Sequence, residues 1–291
     1  MDLRAIHRRV ACRLGNRSPE MSGLRGIAVG VFFALLLAGP HAHAGPMNGD
    51  RVVVGGQIHA AENGNHPWSL TIAGNPPCLY RFEVRPGDRW VFESPKQPAP
   101  VERSELQGPG DETDPARFDA KTWTAYQFKL EPGGTSTAQW AVLGDWHVRP
   151  DPGDTATMTS PWQLELLRGD ILAFITSTTT EKPARSTIPF QYLWKSAGPI
   201  TRGVWHSLVS VADFDWRPKG EGGITLWLDG AKIVDYRGPL GYNNAKPPYF
   251  KFGIYRAATA DTLAVDYANV ETSRAPLRRR IHTPPPICSS R

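Results

Sequence analysis

Cysteine is scarce in this chain, three in 291 residues. No C-x-x-C pair and no H-E-x-x-H occur, so the common zinc patterns are excluded. The G-x-S-x-G elbow of serine hydrolases and the glycine-rich phosphate loop are also absent. Paired acids are missing too. Retaining glycoside hydrolysis on a β-sheet needs a nucleophile and an acid close together on one face. Of the glutamates, only Glu112-Thr113-Asp114 begins the E-x-D-x-x-E pattern that would supply them, and it runs into Arg117 within a proline-containing loop. Long hydrophobic runs are lacking as well. The longest spans residues 27–38, short of the ~20 residues that a membrane-crossing helix needs.

That run belongs to an address. Six arginines (Arg4, Arg8, Arg9, Arg13, Arg17, Arg25) precede it, and Ala42-His43-Ala44 follows as a small-residue cleavage site. These are the three parts of a secretory signal peptide over residues 1–44, which implies a secreted or periplasmic protein. The whole chain carries Lys+Arg 33 against Asp+Glu 28, a net charge of +5. The leader holds six of those cations and only two acids, Asp2 and Glu20, so the mature chain is nearly neutral. Overall charge therefore gives no support to nucleic-acid binding. Cys12 leaves with the leader, and Cys78 and Cys288 are expected to pair in an oxidising compartment; the alternative is two thiols. In the chain-entropy view so long a loop is worth up to about 5 kcal/mol.

What is abundant is punctuation. Gly 28 and Pro 27 are spread along a chain whose apolar pattern has mostly period two. Candidate strands cover 68–73, 79–84, 122–130, 138–143, 162–167, 170–176, 205–212, 224–228, 232–236, 249–255 and 262–270. Asp229-Gly230 is a two-residue hairpin signal between two of them. Many short strands in one domain, residues 45–274, predict an all-β sandwich of the jelly-roll type. Four long polar loops, 93–100, 107–118, 148–160 and 177–189, suit a binding rim. Residues 275–291, with Arg278-Arg279-Arg280 and Pro284-Pro285-Pro286, read as an extended, solvated tail.

One strand has an unusual polar face. In Tyr249-Phe250-Lys251-Phe252-Gly253-Ile254-Tyr255-Arg256, alternation sends Phe250, Phe252 and Ile254 to a core. Tyr249, Lys251, Gly253 and Tyr255 share the other face, with the ammonium and the second phenol roughly 13 Å apart. Gly253 reads there as clearance for a ligand against the backbone. Two further segments carry polar groups. Arg103 and Glu105 share one face of Arg103-Ser104-Glu105-Leu106, as site residues or as a plain ion pair. Gln139 alternates with Trp140 and Val142, which predicts the latter two for the core. Amide and guanidinium donors with a phenol, and no acid pair, suit proton abstraction α to a carboxylate. The donors neutralise the carboxylate, and the phenol moves the proton.

R-S-E-L, Q-x-A and Y-F-K-F-G-I-Y-R, in this order, resemble the jelly-roll polysaccharide lyases: alginate lyases, glucuronan lyases and heparin-lyase-like proteins. The resemblance extends from about Cys78 to Val270. It implies a concanavalin A-like sandwich and β-elimination on an acidic, uronate-containing polysaccharide. Residue by residue, it implies Tyr255 as base and acid, Gln139 as carboxylate neutraliser, and Arg103 assisting. Lys251 would bind substrate and lower the phenol's pKa, with Tyr249, Glu105 and Arg256 as further substrate contacts. The families often carry a histidine two residues after the glutamine, where this chain has Ala141. His147 is the candidate replacement, with a solvated loop histidine as the plain alternative. His206 is expected in a core or edge role, and His59 and His66 at the surface. No cofactor is required, and the resemblance allows a structural calcium. The expected partner is an anionic polysaccharide, with no nucleic acid, no membrane after leader removal, and a monomeric state. Ala141 sustains one rival reading, a non-catalytic, lectin-like jelly roll that binds carbohydrate.

Overall fold

The computed structural model describes residues 45–94, 99–110, 113–154, 159–177 and 190–284. The expected leader and Cys288 lie outside these residues, and so does any pairing of Cys288 with Cys78.

Two antiparallel sheets form a sandwich. The first runs, in spatial order, β1 (Arg51–Val54), β2 (Gln57–Glu62), β5 (Val101–Gln107), β14 (Tyr249–Ala257), β7 (Trp140–His147), β8 (Trp162–Leu167), β9 (Ile171–Ser177) and β10 (Phe190–Pro199). The second runs β13 (Ala231–Arg237), β12 (Gly223–Leu228), β11 (His206–Asp213), β6 (Thr122–Leu130), β15 (Leu263–Ser273), β4 (Leu79–Val84) and β3 (Leu70–Ala73). Strands β4, β6 and β8 have the bounds that alternation predicts. The hairpin between β12 and β13 turns at Asp229 (φ 50°) and Gly230 (φ 82°), the positive pair that a tight type I′ turn requires. Strands β1, β2 and β10 lie outside the candidate strands, and β5 coincides with the polar segment that holds Arg103 and Glu105.

Between the sheets lies an aromatic core. Phe250, Phe252 and Ile254 of β14 are fully buried, as their alternation predicts. Phe252 meets Phe82 and Tyr267 of the facing sheet edge-on, at 5.5 and 5.4 Å between ring centres. The Tyr267 hydroxyl donates across to the Leu143 and Gly253 carbonyls at 2.7 and 2.8 Å. Those two carbonyls lie at a β-bulge, where Gly253 and Ile254 of β14 oppose Leu143 alone on β7.

Three expectations are corrected here. Gly253 is not ligand clearance. At φ +135°, a Cβ there would stand 2.4 Å from the Ser104 carbonyl oxygen and 2.7 Å from the Glu105 Cα. Glycine is required for close packing of β14 on β5. His59 is not a surface residue. It is 2 % exposed and packs edge-on against Phe252 at 5.8 Å, and burial pushes its imidazole down to about 4. The tail is not a solvated arm over its described length. Leu277 is buried with Trp123, Ala125 and Val209 on the outer face of the second sheet. Gln127 Nε2 then donates to the carbonyls of Thr283 and Pro284 at 3.1 and 2.8 Å.

Candidate active site

A cleft of about 770 Å³ opens on the outer face of the first sheet. Its floor comes from β5, β14, β7 and β8, and its rims from Trp90, Thr159, Ser160, Phe190 and Tyr192. Of the expected site residues, the fold brings Tyr255, Gln139, Arg103, His147, Lys251, Tyr249 and Glu105 to its lining. Arg256 is excluded. Its side chain is completely buried on the opposite side of β14, donating to Glu102 at 2.8 Å and to the Asp261 carbonyl at 2.6 Å. It is a structural ion pair, not a substrate contact.

The cations of the floor are already engaged. Lys251 is buried and its ammonium lies 2.6 Å from Glu62 and 3.0 Å from Glu105. Burial opposes its charge, but Glu105 and Glu62 outweigh that and hold it above the ordinary lysine range. Arg103 meets Glu105 at 2.8 Å, Glu93 at 3.2 Å and Glu62 at 3.4 Å. Again the carboxylates outweigh burial and raise its pKa. Three carboxylates and two cations thus form one network with a formal charge of −1. Lys251 therefore offers a substrate little uncompensated charge. The cation that reaches the phenol is Arg103, whose guanidinium carbon lies 4.1 Å from the centre of the Tyr255 ring. Trp140 packs against the same ring at 5.1 Å.

That last contact corrects the parity of β7. Trp140 and Val142 line the cleft, whereas Ala141 and Leu143 are fully buried in the core. Trp146 points to the core, as does Leu143 three residues earlier, because Leu143 is an extra residue against β8. A bulge inverts alternation on its two sides. Gln139 precedes the strand and sits exposed at the cleft mouth. Ala141 is therefore not a gap in the cleft where a histidine should stand.

The cleft face of β7 continues with Asp145 and His147. Asp145 Oδ2 lies 3.1 Å from His147 Nδ1 and also accepts from the Ser160 hydroxyl. Burial would raise this carboxyl, but the hydrogen bond and charge of His147 outweigh it and lower its pKa. An ionised Asp145 accepts from a protonated Nδ1 of His147. The imidazole meets Tyr249 edge-on at 5.4 Å, and Arg149 caps that phenol ring at 4.8 Å.

Several lining residues escaped the sequence reading. Gln163 and Glu165 alternate with Leu164 and Leu166 on β8, so their shared polar face was visible in the sequence. Burial pushes the Glu165 carboxyl up to about 7 despite the Gln163 amide that donates to it. Gln107 lies on β5 opposite Lys251. Glu62 left no such signal, because β2 itself was not recognised. Among the described residues, no group of three or more His, Cys, Asp or Glu is arranged to hold a metal ion.

Two antiparallel sheets packed as a sandwich, with an open polar cleft across one of them, define a jelly-roll architecture. Residues 56–271 match the polysaccharide lyase family, and the chain belongs to that family. No curated protein matches it by sequence. Among solved structures, the endo-β-1,4-glucuronan lyase of the fungus Trichoderma reesei superposes with a TM-score of 0.55 at 13 % identity, covering 79 % of this chain and 93 % of that one. The family 7 alginate lyase AlgAT5 gives 0.46 at 13 % identity, covering 72 % and 83 %. The jelly-roll fold expected from the strand pattern is the fold observed.

Proposed function

We propose that this polysaccharide lyase is secreted and cleaves an acidic, uronate-containing polymer by β-elimination, with Tyr255 taking the C5 proton. The observation that carries this reading is the Tyr255 phenol ring on the cleft floor with the Arg103 guanidinium over it. The guanidinium attracts negative charge on the phenol, which favours proton abstraction. Removing a C5 proton also needs the neighbouring carboxylate to be held by donors that strengthen as charge builds on it. Three side-chain amides, Gln107, Gln139 and Gln163, reach the cleft and suit that role. A neutral amide donates without adding to the charge of the network beneath. Aromatic rims of Trp90, Phe190 and Tyr192 offer faces for sugar rings.

The test is the ultraviolet absorbance of the unsaturated uronate product on glucuronan, alginate, heparin-type and hyaluronan substrates. Wild-type protein should raise it on at least one. Tyr255→Phe should keep its fold and lose about 10²-fold or more of the rate. A phenylalanine variant near the wild-type rate would refute Tyr255 as the base. Ala141 lies in the core, so the observation behind a non-catalytic reading no longer favours it.

A further inference from the structure

Four carboxyl groups line the cleft: Glu62, Glu105, Asp145 and Glu165. Three have a cationic or imidazole partner within ion-pair distance: Lys251 and Arg103 serve the two glutamates, and His147 serves Asp145. Glu165 has no ion pair among the described residues. Its residue is 6 % exposed, and its Oε1 accepts from the neutral amide of Gln163. A buried carboxyl without a cation at ion-pair distance favours its protonated form. Such an acid can donate a proton into the cleft from Oε2.

Its position is as informative as its environment. Glu165 pairs with Val142, Val142 pairs with Tyr255, and Tyr255 pairs with Arg103. The four residues form one row across adjacent strands, all on the cleft lining. Glu165 and Tyr255 thus stand two strand spacings apart, about 10 Å, with a low apolar residue between them. That gap has the width of one sugar ring flanked by a group on either side.

We propose that Glu165 is the general acid of the elimination, protonating the departing glycosidic oxygen while Tyr255 takes the C5 proton of a uronate lying over Val142. The C5–H bond breaks to the phenolate, and its electron pair forms the C4–C5 double bond. The C4–O4 bond breaks, and O4 takes the Glu165 proton. Solvent exchange then returns a proton to Glu165 and removes one from Tyr255. This assignment rests on the elimination reading given above, and divides between two residues the base and acid roles that the family resemblance placed on Tyr255 alone.

The groups that face Glu165 are few. Lys195 lies in the same row on β10, through Ala173 of β9, and its charge favours the ionised carboxylate. Tyr192 on β10 is a phenol, Gln163 is neutral, and β7 presents Val142. Wild-type turnover should therefore fall as pH rises through neutrality, because Glu165 must be protonated to act.

Glu165→Gln should lower kcat about 10²-fold at little change in KM and should lose that alkaline limb. A uronate oligomer bearing a 4-O-aryl leaving group needs little acid assistance, and on it the variant should recover most of the wild-type rate. Lys195→Met leaves the acid in place and should move the alkaline limb to higher pH. Glu165→Gln within twofold of wild type, or equal loss on both leaving groups in folded protein, would overturn the assignment. So would an alkaline limb that stays put in Lys195→Met, a readout that survives even if the first variant fails to fold. A wild type without unsaturated product on any substrate would instead sink the elimination reading itself.

Discussion

Lys251 donates to Glu62 across 2.6 Å, and the pair joins strands 189 residues apart in sequence at the floor of the cleft. Both belong to the network that also holds Arg103, Glu105 and Glu93. Removing one partner of a buried ion pair leaves the other uncompensated, at a cost of about 3–5 kcal/mol. Lys251→Met should lower the unfolding free energy by about that amount, seen as a lower melting temperature, with KM of the folded fraction little changed. A stable variant with a raised KM would restore Lys251 as a substrate cation.

Ala141 provides a test of strand parity. A histidine there would enter a fully buried apolar environment. Ala141→His should destabilise by about 2 kcal/mol or more, through an unsatisfied polar group and overpacking, and should not raise activity. Denaturant unfolding beside the absorbance assay checks both. A stable, faster variant would show that the side chain reaches the cleft.

His59 sets a pH dependence of stability. Its imidazole titrates at about 4 when folded, against an ordinary 6.5. Above pH 6.5 both folded and unfolded forms are neutral, and its contribution is complete. As pH falls from 6.5 to 4 the unfolded chain takes up a proton that the folded chain refuses, so stability is lost by roughly 3 kcal/mol. His59→Phe should flatten the acid side of a plot of melting temperature against pH. An unchanged slope would contradict this assignment.

The tail should behave as part of the fold. Leu277 is 1 % exposed, so Leu277→Ala should cost about 2 kcal/mol or more. Thermal unfolding reads this directly, and a change within ±0.5 kcal/mol would return the tail to the solvent.

Legibility followed locality. Alternation of apolar residues predicted strands β4, β6 and β8, the Asp229-Gly230 turn, and the buried face of β14, because each depends on residues a few positions apart. Tyr255, Gln139, Arg103, His147, Lys251, Tyr249 and Glu105 all reach one cleft, since short motifs on neighbouring strands share a face. Arg256, Ala141 and Gly253 did not follow. A one-residue bulge at Leu143 reversed the face of everything before it, and β5 lies too close to Gly253 for any side chain.

The amino-acid sequence by itself determined the sandwich, the family and the presence of a phenol on a polar strand face. These follow from periodicity and from motifs written within single strands. The tertiary structure decided which charges remain available. Lys251 and Arg103 are spent on Glu62, Glu93 and Glu105, partners from other strands and loops, while Glu165 is left buried without an ion pair among the described residues. Charge compensation and desolvation depend on distances across strands, and only folding sets those distances.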